Sequence, residues 1–139
     1  MRGLKMWLVP ALFFIILSAL FVYSIKDRGI VIADAKIVNA VDENLMPIKI
    51  MDVFPKATSK ISCWIKWQNA KINTQILAKW HYVTDDIPIL DYVFNIPKKD
   101  GMGSVTLSMP SGKNLPSGLY KINLVSGKHI LKSLTFKVE

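Results

Sequence analysis

Ile61-Ser62-Cys63-Trp64-Ile65-Lys66-Trp67 alternates with a period of two. Ile61, Cys63, Ile65 and Trp67 fall on one parity, and Ser62, Trp64 and Lys66 on the other. An extended backbone gathers such a set onto one face, whereas a helix would scatter it around the axis. The heptapeptide therefore predicts a β-strand with one buried face.

The same period extends in both directions. Downstream, Gln68 to Asn73 is a polar turn. Thr74 to Val83 then sets Ile76, Ala78, Trp80 and Tyr82 against Gln75, Lys79 and His81. Thr84-Asp85-Asp86 breaks the pattern, and Leu90, Tyr92, Phe94 and Ile96 resume it. Pro97 to Gly101 ends in Asp-Gly, a strong turn dipeptide. Val105, Leu107 and Met109 give a further strand, stopped by Pro110. Leu119 to Val125 and Ile130 to Val138 read as a hairpin across Ser126-Gly127, with Leu134, Phe136 and Val138 inward. Upstream, Ile30 to Val41 predicts a first strand with Val31, Ala33, Ala35 and Ile37 on one face. Ile48, Ile50 and Phe54 predict a second, stopped by Pro55. Roughly seven or eight short strands cut by turns predict an all-β domain, a sandwich in preference to a barrel.

Met6 to Tyr23 departs from this pattern. It is apolar throughout and carries no charge. As a helix it would span ~27 Å, near the thickness of a bilayer's hydrocarbon core. Trp7 and Tyr23 lie at its two ends, where amphipathic rings favour the headgroup level, and Phe13, Phe14 and Phe21 lie within. Residues 1–25 are expected to form a single-pass signal-anchor. Arg2 and Lys5 before it place the N-terminus in the cytoplasm and the domain of residues 26–139 in the periplasm or otherwise outside the inner membrane. The competing reading is a cleaved signal peptide. Its small-x-small site, Ala33-Asp34-Ala35, would lie about ten residues beyond an apolar run already longer than is usual for such peptides. A lipoprotein is excluded, because Cys63 is the one cysteine of the chain. The lack of any Asn-x-Ser/Thr acceptor favours a bacterial or archaeal envelope.

Eighteen Lys and Arg against ten Asp and Glu give a formal net charge of +8. After the apolar run Arg28 is the one arginine, and the lysines are dispersed. Nucleic-acid readers cluster charge and favour arginine, so no nucleic-acid partner is expected. A single cysteine makes no internal bridge, so the domain must fold on its hydrophobic core.

Cys63 and Trp67 in one strand and Trp80 in the next, the run Leu115-Pro-Ser-Gly-Leu-Tyr-Lys-Ile-Asn-Leu124, and the close Phe136-Lys-Val-Glu139 carry a resemblance. Over about residues 30–139 the chain resembles the immunoglobulin-like and fibronectin-type-III-like sandwiches of bacterial envelope proteins. The resemblance implies binding or spacing more than catalysis. The second cysteine of antibody-type domains is missing.

Chemistry-bearing residues are few. His81 and His129 are far apart and lack metal-ligand spacing, so no metal and no cofactor is expected. Cys63 lies on an apolar face and reads as an inert buried thiol. Asp85, Asp86 and Asp91 have the composition of turns. There is no Gly-x-Ser-x-Gly and no His-Glu-x-x-His. If Cys63 faces inward, Trp64 faces outward beside Lys66. Trp64, Lys66 and Lys79 are therefore the interface candidates. The expected role is non-enzymatic: an anchored accessory or scaffold subunit that docks on a larger membrane or periplasmic complex. The alternative is a module that holds an anionic ligand (lipid headgroup, glycan or polyanion) on a lysine-rich sheet face.

Overall fold

Lys60 to Gln68 forms the central strand of a three-stranded sheet. The structure, a computed structural model, describes residues 29–139. The expected anchor, with Trp7, Phe13, Phe14, Phe21 and Tyr23, lies outside the described residues. Among the described residues no helix is long and apolar enough to cross a membrane.

The eight strands are β1 (Val31–Val38), β2 (Val53–Phe54), β3 (Lys60–Gln68), β4 (Gln75–Tyr82), β5 (Ile87–Asn95), β6 (Gly101–Ser108), β7 (Gly118–Ser126) and β8 (His129–Val138). One sheet has the order β1-β3-β6 and the other β2-β8-β7-β4-β5. All pairings are antiparallel except β2 with β8. The two inner faces meet in one core. Ile61, Cys63, Ile65 and Trp67 from β3 face Ile76, Ala78 and Trp80 from β4 and Tyr120, Ile122 and Leu124 from β7, all within one cluster of buried residues. This is the alternation of the sequence converted into burial.

Aromatic rings occupy the centre of the core. Phe136 stacks on Tyr120 with centroids 5.0 Å apart and meets Trp80 and Phe54 edge-on at 6.0 and 5.8 Å. Each such contact adds about 0.5–1.5 kcal/mol beyond simple burial. Trp67 meets Phe94 edge-on at 5.6 Å. Gly103 of β6 makes room for that pair, since a Cβ there would lie 2.8 Å from Phe94 Cζ.

Two expectations about the N-terminal strands are corrected. In β1 the register shifts between Ile32 and Asp34. This bulge leaves Ala33 exposed and packs Ile32 against the core, so Val31 and Ala33 do not share the inward face of Ala35 and Ile37. Ile48 and Ile50 do not form an inward strand with Phe54; they are 61% and 59% exposed. They belong instead to an irregular hairpin. Asn39 N donates to Lys49 O at 3.1 Å, and Ile48 N donates to Ala40 O at 3.0 Å. The chain then stitches the sheets together along one side. Met51 N donates to Ile37 O of β1, and Lys137 N of β8 donates to Asp52 O. On the opposite side, among the described residues, the edges of β5 and β6 have no such lacing.

Strand polarity sorts the loops into two poles. The turns 69–74, 96–100 and 126–128 lie at the end where β1 begins, because Val31 pairs with Gln68, Gly101 with Trp67, Asn95 with Gln75 and Val125 with Leu77. The turns 83–86 and 109–117 and the C-terminus lie at the other end.

Candidate functional site

Trp64 occupies the outer face of the three-stranded sheet, as its parity requires, but it is only 5% exposed. Its indole Nε1 donates to Leu45 O at 2.7 Å. The hairpin after β1 folds back over the sheet and covers the ring, together with Val38 and Ser62, both buried. Ser62 Oγ and Thr106 Oγ1 share a hydrogen bond of 2.9 Å beside it. Neither Val38 nor Trp64 belongs to the main core cluster. Each is tied to the segment after β1, Trp64 through Leu45 O and Val38 through its bridge to Ile50. The expectation of an exposed tryptophan is therefore corrected. Alternation assigns a face, and a distant loop decides whether that face is wet.

Lys66 and Lys79 are both exposed, but on opposite sides of the molecule. Lys66 pairs in register with Asp34 and Met102 on the outer face of the small sheet. Lys79 pairs with Asp91 and Asn123 on the outer face of the large one. Trp64, Lys66 and Lys79 thus make no common patch.

The polar candidates separate in the same way. His81 lies toward the end of β4 nearest the turn 83–86, and its Nε2 lies 2.8 Å from Asp86 Oδ1. His129 begins β8 at the other pole, so the two histidines do not meet. Cys63 is fully buried, and burial pushes its thiol up to about 12. A thiol so held is protonated at neutral pH, which removes its nucleophilicity. Among the described residues no group of three His, Cys, Asp or Glu converges as a metal site would require. An open cleft of about 390 Å³ lies where residues 50–52 cross between β1 and β8. It is lined by Lys36, Met51, Asp52, Leu134 and Thr135 among others. Its walls are the stitching of the sandwich, and it holds no paired acid and base.

An exposed apolar strand is β5, Ile87-Pro-Ile-Leu-Asp-Tyr-Val-Phe-Asn95. Ile87, Ile89, Leu90, Tyr92 and Val93 are 50%, 37%, 41%, 48% and 48% exposed. Two causes combine. β5 ends its sheet, so among the described residues one backbone edge is unpaired. The five-stranded sheet is also wider than the three-stranded one. Leu90 and Tyr92 pair in register with the core residues Trp80 and Ala78, yet nothing roofs them. On the outer face Val93 continues a row through Leu77 and Val125. The sequence carried a signal for this that alternation alone overlooks. Apolar residues occupy both parities of Ile87 to Phe94, which one buried face does not need.

No protein-family model matches the sequence, and no curated protein sequence matches it either. The fold is similar to that of an immunoglobulin-like protein from Pseudomonas aeruginosa, known from a crystal structure. The TM-score is 0.59 at 10% identity, over 80% of this chain and 97% of that one. The likeness shows the fold alone: an all-β, immunoglobulin-like sandwich.

Proposed function

We propose that the protein is a non-enzymatic, membrane-anchored accessory subunit whose sandwich docks on a larger membrane or periplasmic complex through β5. The observation that carries this reading is the exposed apolar edge strand. Natural sheets blunt their edges with charge, proline or short strands. β5 is nine residues long and has Pro88 near its start and Asp91 as its one charged residue. The occupant it suits is an extended segment of a partner protein. Such a segment would pair with the free backbone edge, rest on Leu90, Tyr92 and Val93, and set a Lys or Arg opposite Asp91. Lys79, one strand inward, would lie at the rim of that contact.

The alternative, an anionic ligand on a lysine-rich sheet face, has weaker support, because Lys66 and Lys79 project from opposite faces. The test is Leu90→Lys with Val93→Lys in the full chain, isolated from gently solubilised native membranes. The wild type is expected to run as part of a larger assembly and the double variant alone. Both sites are exposed, so the thermal unfolding midpoint should be little changed. A wild type that always runs alone, or a variant that keeps its companions, overturns the reading.

A further inference from the structure

We infer that the pole at which β1 begins rests on anionic lipid headgroups, so that the sandwich stands upright on the bilayer with the far pole outward. This rests on the reading of residues 6–23 as a membrane anchor. Ser24 to Gly29 is all that separates that run from the first described backbone. Six residues reach at most about 20 Å even when fully extended. Gly29 is fixed at this pole, its carbonyl accepting from Asn69 Nδ2 at 3.0 Å, and the next strand pairs Val31 with Gln68.

The loops that share the pole are basic. Lys71 comes from the turn between β3 and β4, Lys98 and Lys99 from that between β5 and β6, and Lys128 from that between β7 and β8, and all four are exposed. None forms an ion pair with another described residue. Two of these loops converge through Ala70 N, which donates to Lys99 O at 2.9 Å, and Asn69 N, which donates to Asp100 Oδ1 at 2.9 Å. That contact occupies an oxygen of Asp100, the pole's one carboxylate among the loops 69–74, 96–100 and 126–128.

Two large apolar side chains project at the same end. Ile72 is 88% exposed and Ile130 63%, the highest values among the described large hydrophobics. A protruding isoleucine flanked by lysines suits an interface that is negatively charged at its surface and apolar just beneath. The opposite pole is mixed in charge. Asp85, Asp86 and Glu139 lie there with Lys56, Lys60 and Lys113, and an anionic surface would repel those carboxylates. Sequence reading missed this asymmetry, because the four lysines are dispersed along the chain and only the topology gathers them.

The test uses the full chain reconstituted into vesicles of phosphatidylcholine, with or without phosphatidylglycerol. Ile72→Cys and, as the far-pole control, Ser111→Cys are labelled with a fluorophore that a headgroup-attached quencher can reach. Buried Cys63 does not compete for the label. In anionic vesicles the dye at 72 should be quenched and the dye at 111 should not. Molar salt, or Lys71, Lys98, Lys99 and Lys128 all changed to Gln, should abolish the difference. Equal quenching of the two dyes, or quenching at 72 that persists in neutral vesicles and in the lysine variant, overturns the inference. Flotation separates the two readings. A chain that floats with vesicles in molar salt but shows no contact at 72 in anionic vesicles at low salt is anchored without resting on its pole. A chain that does not float loses the anchor, and this inference with it.

Discussion

Tyr120 shows how one side chain closes a loop. Its Oη donates to Pro116 O at 2.5 Å, tying β7 back to its own approach. This is the tyrosine corner of immunoglobulin-like sandwiches. By the same spacing Ile122, two residues on, takes the place where antibody-type domains carry their second cysteine. Cys63 therefore has an apolar counterpart rather than a bridging one. Beside it Tyr82 Oη donates to Ser117 O, also at 2.5 Å. The close approach of Tyr82 explains the glycine of Pro116-Ser-Gly-Leu-Tyr120. Gly118 has φ 146, and a Cβ on it would lie 2.7 Å from Tyr82 Oη and 2.6 Å from Thr84 Oγ1. Gly118→Ala combines backbone strain with overpacking and should cost about 2–4 kcal/mol. Chemical denaturation of the variant against the wild type measures it. A loss below a few tenths of a kcal/mol would show that the corner tolerates a side chain.

At the scale of elements, the hairpin after β1 depends on Trp64. Its tip turns on Asp42, whose Oδ1 accepts from Asn44 N and Met46 N at 2.8 and 3.0 Å, with Leu45 at φ 60. Trp64→Phe keeps a ring under the hairpin but removes the donor to Leu45 O. Global stability should fall by about 1 kcal/mol, the usual size of one net hydrogen bond. Amide exchange at Ile48 and Met46, whose bonds close the hairpin, should rise more than exchange in β3. Uniform acceleration across the sheet would mean that the hairpin is not a separately stable unit. β5 shows the opposite relation between element and surroundings. Its pattern promised a buried strand, but the narrower sheet opposite does not extend over it.

For the whole molecule, burial couples stability to alkaline pH. Desolvation holds the Cys63 thiol near 12 from an ordinary 9.0, and desolvation with the nearby Tyr82 raises Tyr120 from 10.0 to about 12. Both groups are neutral when protonated, and the folded state retains those protons longer than the unfolded chain. Their contribution is intact below pH 9 and is lost as pH rises from 9 to 12, because the unfolded state ionises first. Three pH units at Cys63 correspond to a loss on the order of 4 kcal/mol. Cys63→Val should therefore flatten the fall of the unfolding midpoint between pH 9 and 11, and an unchanged slope would refute the assignment. The strands β3, β4, β7 and β8 and their inward faces were legible in the sequence because alternation is a local property of an extended backbone. The charge-free run of residues 6–23 is likewise a local fact. The covering of Trp64, the separation of Lys66 from Lys79 and the gathering of Lys71, Lys98, Lys99 and Lys128 at one pole were not legible. Each depends on which distant segments come to lie side by side, and that is decided by sheet order and sheet width, which no local pattern encodes.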